Sequence, residues 1–167
     1  RILKGKKILL LMPGQSISQY KDEILKKIEA ENLFVITVNF RDETFDKYSE
    51  LAFWGSQKRY EHYTDLRKEV TSLITSNIES DMEDDIIVNY DSFVDRTQEY
   101  SDNASLMLMR ILQRVGVVSY YVAGFDGFTV NGSYYNKTYF SEERGRSQYD
   151  AINTGSAHQL SKVAECL

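Results

Sequence analysis

Four polar side chains follow apolar segments of this chain, directly or within two or three residues: Asn39, Asn77, Asn89 and Asp126. If those segments are parallel strands, the four side chains meet at the carboxyl edge of the sheet, where ligands bind in open α/β folds. An asparagine amide both donates and accepts hydrogen bonds without charge, which suits base edges and ribose or sugar hydroxyls. Asparagine also ends strands for purely structural reasons, because it tolerates left-handed backbone and caps turns.

A phosphate-bearing ligand would need positive partners, because the chain has a net charge of −5. The local cations are Arg41, after the second predicted strand, and Lys58 and Arg59, after the third. Each of them is alternatively an ordinary surface cation. Tyr134 and Tyr135 could donate hydrogen bonds to a phosphate or stack on a sugar, or they could simply cover a hairpin. All five are retained as predicted ligand contacts.

Two residues are candidates for catalysis. Asp126 could act as a base or anchor a hydroxyl, and His158 could act as a general acid or base near neutral pH. The alternative for His158 is a surface histidine on a helix. The only other histidine is His62, distant in sequence, and the only cysteine is Cys166, so neither a metal centre nor an intrachain disulfide is predicted. No cofactor is predicted.

The stretch 6–17, KKILLLMPGQSI, predicts the strand, turn and helix around which the other elements are organised. A glycine at position 14 permits positive φ or close approach of another group to the backbone. Ser16 and Gln19 fit a capping box, which predicts a helix from about Ile17 with free N–H groups facing the turn. Such a turn is a candidate anion or nucleotide site, although every βα unit needs one. The predicted ligand contacts here are Gly14, Gln15 and Ser16. Gly124, directly after the last predicted strand, is a further predicted contact.

Apolar runs and helical periodicities alternate along the rest of the chain. Further strands are predicted at 33–38, 51–54, 70–75, 86–88 and 117–123. Helices are predicted at 18–31, 56–66, 104–115 and 147–167. This alternation predicts an α/β fold, a Rossmann-like three-layer sandwich with a mostly parallel sheet.

Several local features refine that prediction. Ser101 or Asp102 is expected to cap the helix at 104–115, in which Met107 and Met109 are interpreted as core packing. The acidic run 79–85 is interpreted as a solvated loop. Asn131 and the glycine after it predict a type I′ hairpin turn.

The bulk composition predicts one domain over residues 1–167, because 167 residues suffice for a single core. A pI near 5.1 argues against a general nucleic-acid or anionic-membrane binder. The sequence shows no signal peptide and no long apolar segment, which predicts a cytoplasmic protein without a membrane span. No G-x-G-x-x-G, P-loop or G-x-S-x-G motif occurs. Because the chain opens on Arg1, we expect a domain excised from a longer protein.

The segments LLLMPGQSI, ITVNF and 102–136 together resemble bacterial sialyltransferases that use CMP-sialic acid. Three motifs of that family have matching positions in this chain. The first is matched by Gly14, Ser16 and Ile17, and the second by Asn39. The third is matched by Gly124, Asp126, Asn131, Gly132, Ser133 and Tyr135. The chain departs from the family at Met12 and Pro13, at the inserted Gly127 and at Phe128. The resemblance implies a nucleotide-sugar site, with His158 at the distance of the family's catalytic histidine.

A broader resemblance covers LKGKKILLLMPGQSI, WGSQKRY, ITSN and AGFDGF. These segments are similar to the C-terminal domain of aldolase-like proteins of the hydroxymethylglutaryl-CoA lyase and 4-hydroxy-2-oxovalerate aldolase type, which are associated with surface-polysaccharide synthesis. It implies a preceding TIM-barrel domain. Together with the polar strand ends, the leading hypothesis is a domain that binds a nucleotide or nucleotide-sugar, and a homo-oligomer is a further prediction. Two alternatives remain open, an active glycosyltransferase and a non-catalytic structural or oligomerisation domain.

Overall fold

A six-stranded sheet forms the centre of the protein, whose computed structural model describes residues 3–63, 69–97, 103–127 and 146–165. The strands are β1 (Ile8–Leu11), β2 (Phe34–Val38), β3 (Ser49–Trp54), β4 (Thr71–Thr75), β5 (Ile86–Val88) and β6 (Tyr121–Ala123). Their order is β5-β4-β3-β2-β1-β6, and every neighbouring pair is parallel. The predicted parallel sheet is therefore confirmed.

The described helices are α1 (Ser16–Gln19), α2 (Lys21–Glu31), α3 (Glu43–Asp46), α4 (Gln57–His62), α5 (Ala104–Arg114) and α6 (Arg146–Glu165), with a 3₁₀ turn at Tyr90–Ser92. One face of the sheet packs on α1 to α3, in a cluster that includes Val35, Ile28 and Phe45. The same face packs on α4 through a cluster that includes Trp54 and Tyr60. The other face packs on α5 and α6. Helices on both faces complete the predicted three-layer Rossmann-like sandwich.

The side of the sheet on which successive strands are added changes once along the chain. From β1 to β5 each strand is added on the same side, whereas β6 lies on the opposite side of β1. Right-handed crossovers then place the helix before β6 on the face opposite to the earlier helices, as observed for α5. The carboxyl ends of β1 and β6 therefore meet at a topological switch point.

Helix α5 is the most buried helix described, because apolar residues occupy nearly all of its sides. Met107 and Met109 are 0% and 2% exposed, which confirms their interpretation as core packing. The helix is capped by Asn103, whose Oδ1 accepts a hydrogen bond from the N–H of Leu106 at 3.2 Å. The predicted caps Ser101 and Asp102 lie outside the described residues, and the observed cap shows that the prediction was wrong.

Two elements differ from prediction. The strand expected at 117–123 is limited to Tyr121–Ala123, because it pairs only with β1, whose residues Leu9 to Leu11 match that length. The helix expected at 18–31 is divided at Tyr20, whose φ of −110° and ψ of 26° interrupt the regular helix. The long C-terminal helix is confirmed.

Residues 79–85 form an irregular, mostly exposed segment, as predicted, although Asp85 accepts a hydrogen bond from the buried Tyr60 hydroxyl at 2.5 Å. The predicted hairpin turn at Asn131 lies outside the described residues. No helix in the described ranges is both long enough and apolar enough to cross a membrane.

Candidate functional site

The turn after β1 lies directly against the residue that ends β6. The N–H of Met12 donates to the carbonyl of Ala123 at 2.9 Å, and that of Gly14 donates to the carbonyl of Gly124 at 3.1 Å. A Cβ on Gly14 would lie 2.4 Å from the Gly124 carbonyl oxygen and 2.6 Å from an Asp126 carboxylate oxygen. Position 14 therefore requires glycine because Gly124 and Asp126 approach its backbone too closely for a side chain. Close approach of another group was one of the two roles predicted for this glycine.

Asp126 reaches across from β6 to the start of α1. Its Oδ2 accepts the N–H of Ser16 at 2.7 Å, and its Oδ1 accepts the Ser16 hydroxyl. Ser16 therefore does not form the predicted capping box: the residue before the helix is Gln15, which makes no side-chain cap. The N–H group expected to face a ligand anion instead binds a carboxylate of the chain, and this carboxylate is itself exposed.

Asn39, at the end of β2, forms a second part of the same edge. It adopts a φ of 57°, and its Oδ1 accepts the N–H of Gly55 at 2.8 Å. Its main-chain carbonyl accepts a hydrogen bond from Nη1 of Arg59 at 3.1 Å. Arg59 is only 5% exposed, so the surface-cation alternative is wrong for this residue.

The remaining predicted cations differ in their surroundings. Arg41 is half-buried and donates from Nε to Asp46 at 2.7 Å. Burial raises the pKa of Asp46, and this ion pair with Arg41 opposes the shift. Lys58 is exposed on α4. Arg41, Lys58 and Arg59 therefore all lie in the segments that follow β2 and β3, and Arg59 is the one shown in contact with Asn39.

Asn77 and Asn89 lie at the far end of the same edge. β5 and β6 are the two outer strands of the sheet, and five spacings of about 4.8 Å place them about 24 Å apart. The four polar strand ends therefore do not form one cluster. Asn89 caps the 3₁₀ turn, with its Oδ1 accepting the N–H of Ser92 at 3.1 Å, which is the structural role weighed for it. Asn77 is exposed in the turn after β4.

His158 is exposed on α6. Its carbonyl accepts a hydrogen bond from the Ser161 hydroxyl at 2.8 Å, and in the described part of the chain no hydrogen bond joins its imidazole to Asp126. The catalytic role of Asp126 and that of His158 stay predictions. Tyr134 and Tyr135 lie outside the described residues.

Sequence reasoning did not identify Asn153, which lies beside this edge. A Cβ on Gly127, the residue after Asp126, would lie 3.2 Å from the Asn153 Oδ1. The neighbouring Asn103 donates from Nδ2 to the Ser156 hydroxyl at 3.3 Å, which fixes α6 against the start of α5. In the sequence, Asn153 is an asparagine near the start of a predicted helix. This pattern is too common to identify a binding residue.

The edge therefore divides into two groups. The β1–β6 group comprises Gly14, Ser16, Gly124 and Asp126, with Gln15 exposed beside it. The β2–β3 group comprises Asn39, Arg41, Lys58 and Arg59. Within the ranges that the structure describes, no group of three or more histidine, cysteine, aspartate or glutamate side chains could hold a metal ion.

No protein-family model, curated protein or solved structure matches this chain.

Proposed function

We propose that this domain binds a nucleotide or nucleotide-sugar along the carboxyl edge of β6, β1, β2 and β3. The observation that carries the proposal is the topological switch point between β1 and β6, the place where open parallel sheets bind ligands. An exposed carboxylate, a hydroxyl and a glycine turn meet there, in Asp126, Ser16 and Gly14.

The β1–β6 group is suited to the sugar end of such a ligand. Asp126 is held in place by two hydrogen bonds from Ser16, yet it remains exposed, and a carboxylate oxygen accepts more than one hydrogen bond. Ribose and sugar hydroxyls are the matching donors. A phosphate is disfavoured at this point, because it would face the Asp126 charge directly.

The β2–β3 group is suited to the phosphate end. Three strand spacings, about 14 Å, separate β6 from β3, which leaves room for a ligand with a hydroxyl-rich end and an anionic end. Lys58 and Arg59 supply positive charge there, and Arg41 lies in the same segment in an ion pair with Asp46. Asn39, the member of this group at the end of β2, uses its Oδ1 and its main-chain carbonyl in hydrogen bonds within the chain, and its Nδ2 is the donor that it offers to a ligand.

The wider biological role proposed rests on the resemblances in the sequence. We place the domain in the cytoplasm, as part of an aldolase-like protein in surface-polysaccharide metabolism. The hydroxyl-binding geometry at Asp126 is consistent with that setting, and a sugar-phosphate ligand would use both groups of residues.

Thermal unfolding with CMP, CDP, UDP and their sugar conjugates tests the proposal. A bound nucleotide at 100 times its dissociation constant stabilises the folded state by about 2.7 kcal/mol. We expect at least one ligand to raise the melting temperature and Asp126→Asn to reduce that increase. The matched control Asp84→Asn, an exposed aspartate in the loop before β5, should leave the increase unchanged. If none of these ligands stabilises the wild-type protein, the binding proposal is wrong, and the structural or oligomerisation alternative is favoured.

Glycosyl transfer is separable from binding. If the domain transfers a sugar, we expect His158→Ala to abolish turnover while the nucleotide-induced increase in melting temperature persists. Slow hydrolysis that this substitution does not change would argue against the sialyltransferase-like alternative.

A further inference from the structure

A cavity lies at the opposite, amino edge of the sheet. It occupies the space between the C-terminal half of α5 and strands β3, β4 and β5, and its volume is about 790 Å³. Volumes of about 300–1,000 Å³ are typical of sites that enclose small molecules. It shares no lining residue with the carboxyl-edge site, so it is independent of the proposed function.

The walls of this cavity are apolar. Its floor is formed by side chains that belong to the main core, namely Leu51, Leu73, Leu108, Ile111 and Leu112. Its outer wall exposes three further apolar side chains to solvent: Ile86, Val115 and Val118 are 40%, 61% and 69% exposed. Exposed apolar side chains continuous with a cavity of this size mark an interaction site.

The charged residues in the described lining of the cavity are all positive. Lys4 and Lys6 line it, and its described lining contains no acidic residue. Both lysines are exposed, and they stand out in a chain whose net charge is −5. An apolar cavity with positive charge alone at its rim complements a molecule with an apolar body and an anionic head.

We propose that the amino-edge cavity binds a fatty carboxylate. The alkyl chain would lie against Leu108, Ile111 and Leu112, and the carboxylate would be paired with Lys4 and Lys6. Both lysines are exposed, so the head group contributes selectivity and the buried alkyl chain contributes most of the affinity.

Isothermal titration of the full chain with dodecanoate, below the concentration at which it forms micelles, tests the proposal. We expect one molecule bound per chain. Decanoate, shorter by two methylenes, should bind about tenfold more weakly because less apolar surface is buried. Dodecyltrimethylammonium, which has an alkyl chain of the same length and a positive head, should also bind about tenfold more weakly because it meets the lysines as like charges.

Surface variants localise the site without disturbing the core. Val118→Asp at the outer wall and the double variant Lys4→Glu, Lys6→Glu should each weaken dodecanoate binding by about tenfold. The matched control Lys26→Glu, an exposed lysine on α2, should change it less than twofold. Circular dichroism should show that all four proteins are folded.

Three results would overturn the proposal. They are an absence of dodecanoate binding, equal affinity for the two head groups, and equal binding by Val118→Asp and wild type. If dodecanoate does not bind and sedimentation shows a dimer that Val118→Asp dissociates, a second copy of the chain covers the cavity. None of these results would bear on nucleotide binding, which the melting temperature with CMP or UDP measures separately.

Discussion

The contact between Ser16 and Asp126 changes which ligands the turn after β1 can bind. A strand, a glycine turn and a short helix would by themselves favour an anion. Here the anion is the Asp126 carboxylate, which binds both the N–H and the hydroxyl of Ser16. The turn is therefore more suited to ligand hydroxyls that approach Asp126 than to a phosphate that competes with it.

Gly124 and Gly116 allow backbone strain and crowding to be measured separately. Both have positive φ, 80° and 84°, but a Cβ on Gly124 would lie 1.9 Å from the Met12 carbonyl oxygen, whereas Gly116 has open space. We expect Gly116→Ala to lower the free energy of unfolding by about 1 kcal/mol through left-handed strain. Gly124→Ala should lower it by about 3 kcal/mol or more, because the β1 turn must also move.

Urea unfolding of the two variants and wild type measures this difference. Equal losses of stability would mean that the turn after β1 yields readily to a methyl group. The close approach between β1 and β6 would then not define the geometry of the site.

At the scale of elements, α5 and α6 are joined by a cluster around Asp95. Lys162 on α6 donates to its carboxylate at 3.1 Å, and Arg110 on α5 lies 3.5 Å from it. The hydrogen bond from the Thr97 hydroxyl, aided by Lys162, lowers the pKa of Asp95 to about 2. Arg110 also donates to Gln159 at 3.0 Å, so the cluster ties the loop before α5 to both helices.

The pH dependence of stability tests this cluster. Because the folded-state pKa of Asp95 lies below its ordinary value of 3.8, its contribution is fully present above about pH 5 and is lost as pH falls toward 2. Asp95→Asn should therefore reduce the free energy of unfolding by about 1 kcal/mol at pH 7, and by much less at pH 2.5. Chemical unfolding at the two pH values measures this, and a difference from wild type that is equal at both would contradict it.

A second prediction for the elements concerns the stability that the burial of α5 provides. Leu106 is 0% exposed in the main core, so Leu106→Ala should cost about 3 kcal/mol of stability through lost contacts and a residual cavity. The control Leu160→Ala, on α6 and 37% exposed, should stay within about 0.5 kcal/mol of wild type. Similar melting temperatures for the two variants would contradict the packing of α5 on the sheet.

At the scale of the whole molecule, the sequence predicted the architecture better than the site. Buried parallel strands are continuous apolar runs, which can be identified in the sequence, so β1 to β5 were predicted within a few residues. The pairing of Ser16 with Asp126 joins residues 110 positions apart and depends on β6 lying beside β1, which no local pattern specifies. The sequence likewise placed Asn77 and Asn89 on the correct edge but could not show their distance from Asp126 along it.

The two ends of the sheet have different chemistry. The carboxyl edge presents a carboxylate, an amide and cations, whereas the amino edge presents an apolar cavity between two lysines and α5. The two proposed sites share no lining residue. The function proposed for the domain depends on the carboxyl edge alone.

The most direct test of that function is to map the amide signals of the protein by ¹⁵N–¹H correlation spectroscopy during titration with CMP, UDP and a sugar conjugate of each. We predict that the largest shifts with a binding nucleotide occur at Gly14, Gln15, Ser16 and Gly124, with smaller shifts at Asn39. Amides beside the amino-edge cavity, such as Gly116 and Ser119, should not move. Shifts confined to the amino edge, or no shifts with any nucleotide, would contradict a nucleotide site at the switch point between β1 and β6.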